Sequence, residues 1–170
     1  MKNLFLLILF LLLTGCGFNP IKQSKSITID CPRILFAQEH KKYIDSSTEK
    51  ISIDNLAYQA EINNAKFKGK CKISNNLFLT DLSILFVVNP LGEYRDLISL
   101  PFYIALIDQN NKLQDVQYFE ANGYFNLSPD NYLIQTEIVT SKNISLKLAE
   151  ESFNIIIGFM IDNDRLKLLN

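Results

Sequence analysis

After Cys31 the chain alternates apolar and polar side chains in short runs. Phe78, Leu82, Ile84, Phe86 and Val88 share one parity, as do Leu100, Phe102, Ile104 and Leu106. The same holds for Tyr132, Ile134, Thr136 and Ile138, and for Ile155, Ile157, Phe159 and Ile161. A period of two predicts strands with one face in a core and the other in water. Phe67, Gly69, Cys71 and Ile73 alternate in this way with Lys66, Lys68, Lys70 and Lys72. A helix would scatter those lysines around its axis, whereas a strand sets them in a row on one face, roughly 7 Å apart.

Between the runs lie turn signals: Asn63-Asn64, Asn75-Asn76, Asn89-Pro90 with Gly92, Asp108 to Asn111, Asn122-Gly123, and Ser128-Pro129-Asp130-Asn131. Asparagine tolerates positive φ and so does the work glycine usually does in a turn. Pro101 is expected near the start of its strand, where a missing donor is tolerable. Only Leu148 to Glu151 and Arg165 to Leu169 read as short helices. Strands broken by turn clusters every 8 to 12 or so residues predict an all-β antiparallel sandwich over residues 31–170.

The start of the chain follows another pattern. Lys2 precedes an unbroken apolar run from Leu4 to Leu13, far short of the roughly 20 residues that cross a bilayer. It reads as the apolar region of a secretory signal peptide spanning residues 1–15. Leu13-Thr14-Gly15-Cys16 follows, and this segment resembles the lipobox of bacterial lipoproteins: an apolar residue, two small residues, then cysteine. The resemblance implies that Cys16 carries a diacylglyceryl thioether and becomes the first mature residue, its amine open to further acylation. One acyl chain binds a membrane reversibly while two or more hold it stably. By resemblance to the sorting rule of Gram-negative lipoproteins, Gly17 in place of Asp after the lipidated cysteine implies the outer membrane, facing the periplasm. Residues 16–30, with Asn19, Pro20, Lys22, Gln23, Ser24, Lys25 and Ser26, read as a polar tether from lipid to domain.

Composition changes the picture in two places. Mean hydropathy over the chain is +0.07, but the apolar signal accounts for it, and the remainder averages slightly hydrophilic. With 17 basic against 18 acidic residues the chain lacks the basic excess of a dedicated nucleic-acid binder, so no nucleic-acid partner is expected. Of three cysteines, lipidation of Cys16 leaves Cys31 and Cys71 as an even pair in an oxidising compartment, and a disulfide is the economical reading. It would close a loop of about 40 residues and contribute roughly 4 kcal/mol in the chain-entropy model. A metal site would need more ligands than a single histidine and no Cys-x-x-Cys provide. A catalytic thiol would want His40 as its base, but Glu39-His40-Lys41-Lys42 reads as a solvated loop.

A second resemblance covers nearly the whole mature domain. Cys31-Pro32-Arg33-Ile34, Tyr58-Gln59-Ala60-Glu61-Ile62, the Cys71 strand, Leu100-Pro101-Phe102-Tyr103-Ile104-Ala105 and Ile157-Gly158-Phe159 look like a group of alphaproteobacterial lipoproteins. The resemblance implies paired cysteines and an immunoglobulin-like or fibronectin-like sandwich, and it carries no activity. Gly158 fits a close backbone approach late in the final strand.

Candidate chemistry is sparse. The one histidine gives a Ser-His-Asp set nothing to build on. Glu150-Glu151 and Asp162 with Asp164 read as exposed loop charges, and Asp162-Asn163-Asp164 lacks the glycine and glutamate of a calcium loop. No Gly-rich phosphate loop or dinucleotide fingerprint occurs. The expectation is therefore no catalytic residue, no metal and no cofactor. Two surface features remain. Lys66, Lys68, Lys70 and Lys72 could meet an anionic polymer, lipid headgroups or an acidic partner, or simply protect an edge. Tyr118, Phe119, Tyr124 and Phe125, taken to straddle a turn at Asn122-Gly123, read mainly as cross-strand core pairs. The expected protein is a lipid-anchored, non-enzymatic binding or assembly module with an envelope protein partner. The alternative is a ligand-binding accessory module for a polysaccharide or other anionic polymer; a hydrolase is less favoured.

Overall fold

The computed structural model describes residues 26–92, 97–130, 132–150 and 152–169. These residues form twelve strands and one short α-helix, ten of the strands making a two-sheet, mainly antiparallel sandwich. The longest strand, β6 (Leu77–Pro90), is the spine of the larger sheet. Its parity is as expected: Phe78, Leu82, Ile84, Phe86 and Val88 have no exposed surface. Along one side β11 (Thr136–Lys147) pairs with β6 from Lys147↔Leu77 to Thr136↔Val88. The other side is shared end to end by β4 (Leu56–Phe67) and β5 (Cys71–Ser74), with β3 (Lys42–Ser46) beyond β4 and β1 (Ile27–Ile29) beyond β5. The smaller sheet runs β2 (Ile34–Phe36), β12 (Phe153–Phe159), β7 (Leu97–Asp108), β8 (Leu113–Tyr124), with β2 parallel to β12. A two-residue pair, β9 (Asn126–Leu127) with β10 (Leu133–Ile134), stands at one end.

Between the sheets, Phe86 packs on Phe102 and Phe159 with ring centroids 5.3 and 5.5 Å apart, and Phe78 meets Phe153 edge-on at 5.1 Å. Tyr58 crosses the core differently. Its hydroxyl donates to the Ser99 carbonyl at 2.8 Å and accepts the Ser99 N–H at 3.2 Å. Ser99 lies on β7 beyond the point where β12 ends at Phe159, so the tyrosine supplies partners that no strand provides.

Several expectations are corrected. β1 draws Ile27–Ile29 into the sheet, so sandwich structure begins before residue 31, inside the segment read as tether. Asn63-Asn64 is not a turn but a register shift within β4, an inserted residue of the kind that bends a strand. Asn122-Gly123 lies within β8, paired with Ser99 and Ile98; a Cβ on Gly123 would sit 2.7 Å from Ile138 Cδ1, so glycine there makes room for the other sheet. Tyr132 and Ile134 do not continue the buried parity of Thr136 and Ile138, because β10 turns away before β11 begins. Pro101 is the fifth residue of β7, and its missing donor is harmless because β12 has ended beside it. No helix forms at Leu148 to Glu150. By contrast Asn75, Asn76 and Asn111 all adopt positive φ in their turns, and α1 (Asn163–Leu169) forms where the second helix was expected.

Three of the edge strands, β8, β11 and β3, are covered by side chains. β8 and β11 adjoin along one seam, where Asp115 accepts the Lys147 N–H at 2.7 Å and Gln117 accepts that of Ser145 at 3.1 Å. Gln114 Oε1 accepts the next two amides, Ala149 and Glu150. The outer edge of β3 is held by α1, with Arg165 Nε donating to the Ile44 carbonyl at 2.9 Å. Satisfied edges do not recruit stray strands.

Candidate binding surfaces

The sequence-derived sites fare unequally. Cys16 lies outside the described residues. Cys31 and Cys71 are bonded, with Sγ atoms 2.09 Å apart; Cys71 is fully buried below β6, and the bridge fastens the segment after β1 to β5. All four lysines are exposed, but they do not share one strand. Lys66 is the penultimate residue of β4, Lys68 and Lys70 lie in the connection between β4 and β5, and Lys72 is on β5. The chain takes five steps from Phe67 to Lys72 while β6 takes three from Leu82 to Leu79, so two surplus residues bulge out. The alternation of the sequence continues through the break because an even insertion preserves parity.

His40 is not a solvated loop residue. It sits half-buried in a 3-10 turn (Gln38–His40), its Nδ1 donating to the Phe159 carbonyl at 3.1 Å and its ring edge-on to Tyr103 at 5.8 Å. Asp162 is a helix cap: its carboxylate accepts the Arg165 backbone N–H at 2.8 Å and also pairs with the Arg165 guanidinium. The bond from the Arg165 backbone N–H does most to hold its carboxyl below the usual range; partial burial opposes it, and the guanidinium adds to the lowering. Asp164 pairs with Lys167 at 3.2 Å. Among the described residues no group of His, Cys, Asp or Glu converges as a metal site. Of the four aromatics, Phe119 stacks on Phe102 and Phe125 meets Tyr58 edge-on, while Tyr118 and Tyr124 are exposed.

The feature that sequence reasoning missed is a hollow of about 720 Å³ on the outward face of the smaller sheet. Its floor follows from register. Ile156, Ala105 and Val116 form one row across β12, β7 and β8, and Gly158, Tyr103 and Tyr118 form the next. Gly158 is required there: a Cβ would lie 2.6 Å from Tyr103 Oη and 2.9 Å from His40 Cβ. With glycine, the Tyr103 ring lies down over β12 toward His40. One wall is the segment from Met160 to Arg165. Arg165 is fixed by Asp45 at 2.9 Å, by Asp162 and by the Ile44 carbonyl, with its guanidinium 5.2 Å from the Tyr43 ring. Burial pushes the Tyr103 phenol up, with Tyr118 adding to the effect, so its hydroxyl stays a neutral donor. The charged groups at the rim are spent on one another, which leaves an apolar, tyrosine-lined surface.

The signal for this hollow was present. β7 reads Leu-Ile-Ser-Leu-Pro-Phe-Tyr-Ile-Ala-Leu-Ile and β12 contains Ile155-Ile156-Ile157; strands apolar on both parities have both faces covered by something. Two other surfaces lie at the ends of the sandwich. A hollow of about 710 Å³ at the end where Ile27 enters is lined by Ile29, Ile73, Leu148 and Phe153 beside Asp30 and Glu150. At the opposite end Leu91, Leu97, Tyr124 and Tyr132 are exposed. Comparison with known protein families, curated proteins and solved structures finds no significant match to this chain.

Proposed function

We propose that this chain is a lipid-anchored envelope protein whose sandwich works as a non-enzymatic binding module, holding an apolar stretch of a partner protein in the hollow of the smaller sheet. The observation that carries this reading is the outward row Ile156, Ala105, Val116 beside Tyr103 and Tyr118. An antiparallel sheet facing water ordinarily alternates polar side chains outward, and a concave apolar surface with a few hydrogen-bonding groups is the usual form of a binding site. Tyr118 keeps 65% of its surface exposed, so it contributes little to the core and much to a contact. Neutral tyrosine hydroxyls give such a contact direction while their rings give it area.

A second reading, a glycan-binding accessory module, is favoured by one observation. Tyr124 and Tyr132, each 71% exposed, stand at the same loop end, where rings could stack on sugars. Capture from crosslinked envelopes separates the two. Tyr118→Arg should abolish capture of the partner retained by the native protein, and Tyr132→Arg should leave it intact. Capture unchanged by Tyr118→Arg refutes the groove reading, and loss with Tyr132→Arg alone transfers the function to the loop end.

A further inference from the structure

The outward face of the larger sheet is divided by charge. Side chains directly opposite in antiparallel strands share a face, so Lys66 stands beside Ser83 and Ser141, Lys72 beside Leu79 and Thr28, and Lys147 beside Leu77. Phe78 and Leu82 point into the core, which places these lysines outward. Lys68 joins them from the bend, its Nζ reaching Ser141 Oγ at 3.3 Å. In this half of the face the one carboxylate on the strands is Asp81, itself bonded by Asn143 at 2.9 Å. No ion pair among the described residues engages Lys66, Lys68, Lys72 or Lys147.

The position of this patch matters as much as its sign. Thr28, opposite Lys72, lies two residues after Ser26, where the described chain begins. Ser26 is ten chain steps from Cys16, a span of at most about 35 Å when fully extended. Lys22 and Lys25 on that span carry the same sign. We infer that the basic half of the larger sheet's outward face rests on the anionic lipid headgroups of the membrane that holds Cys16. This rests on the lipid-anchor reading above. It turns the tyrosine-lined hollow, on the opposite face of the sandwich, away from the bilayer. Lysines close to an anionic bilayer surface each strengthen binding about fivefold, and the attraction fades once salt shortens the Debye length to about 4 Å, near 0.5 M.

The test uses the lipidated chain on phosphatidylcholine vesicles with and without phosphatidylglycerol, followed by amine-reactive labelling and peptide mass spectrometry. Lys66, Lys68, Lys72 and Lys147 should be acylated at least about fivefold more slowly on the anionic vesicles, with the difference lost near 0.5 M salt. Lys50, in the loop between β3 and β4, should react equally on both. Equal labelling of the four lysines on the two vesicles, with the protein bound to both, overturns the inference and leaves the anchor standing. Failure to float with either vesicle overturns the anchor and the inference together.

Discussion

Replacing Tyr58 by Phe isolates a single oxygen at the centre of the sandwich. The ring stays, and with it the contacts to Tyr43 at 6.5 Å and Phe125 at 6.0 Å, so no cavity of consequence opens. What disappears is the hydroxyl that both donates to and accepts from Ser99. A buried polar group left without a partner costs about 1–3 kcal/mol, and Ser99 would have two such groups close together. The expected loss is about 2 kcal/mol. Urea unfolding with an m-value near 2 kcal/mol/M would then show its midpoint falling by about 1 M with m unchanged. The same substitution has a signature at high pH. Burial raises the Tyr58 phenol well above its ordinary value, the Asp45 charge adds to this, and the bond to the Ser99 carbonyl partly opposes it. The unfolded tyrosine ionises near pH 10 while the folded one stays protonated, so the native protein has its full stability below pH 10 and loses it above. One proton is worth up to about 1.4 kcal/mol per pH unit, and Tyr58→Phe should remove that share of the alkaline decline. A midpoint shift below about 0.2 M, or an unchanged alkaline slope, would refute the role assigned to the hydroxyl.

Other perturbations reach other parts of the structure. Changing Cys31 and Cys71 together to Ala should lower stability by up to about 4 kcal/mol, and non-reducing peptide maps of the native protein should show the two peptides linked; two alkylatable thiols would reject the bridge. Cys16→Ser should move the protein from the membrane to the soluble fraction after a high-salt wash, and persistence with membranes would count against lipidation. Gly158→Ala should cost about 1–3 kcal/mol through overpacking against Tyr103 and His40 and weaken partner capture, both measured against the native protein; full stability would mean that the tyrosine ring moves aside freely.

What was legible in the sequence is what a period of two encodes. β6, β7 and β12 carry their buried residues at the expected parity because a strand with one face in a core leaves no alternative. Turns read from Asn75-Asn76 and Asp108 to Asn111 held, since positive φ and the Asp108 carboxylate, which accepts the Asn110 and Lys112 amides at 2.8 Å, are local devices. Asn122-Gly123 misled because the same dipeptide serves a different purpose when the constraint is a neighbour, here Ile138 of the other sheet. The lysine row was read as one strand because an insertion of two residues is silent in parity. The hollow went unseen because it depends on which strands lie side by side, and β12 beside β7 is a pairing across 45 residues or more.

The surfaces that remain available follow from how this sandwich protects itself. At the seam of β8 and β11, three side chains, Gln114, Asp115 and Gln117, take up amides that would otherwise recruit a strand. On the far side of the larger sheet α1 holds β3 through Arg165. With those edges occupied, recognition by strand addition is disfavoured there, and contact falls to faces and ends. The two faces differ in kind: one offers ammonium groups at the end nearest Cys16 in sequence, the other an apolar floor that the fold does not need for its own core. A side chain such as Tyr118, mostly in water and opposite Tyr103, gains little by being aromatic unless something covers it. That is the physical reason for placing the partner on the smaller sheet and the membrane against the larger one.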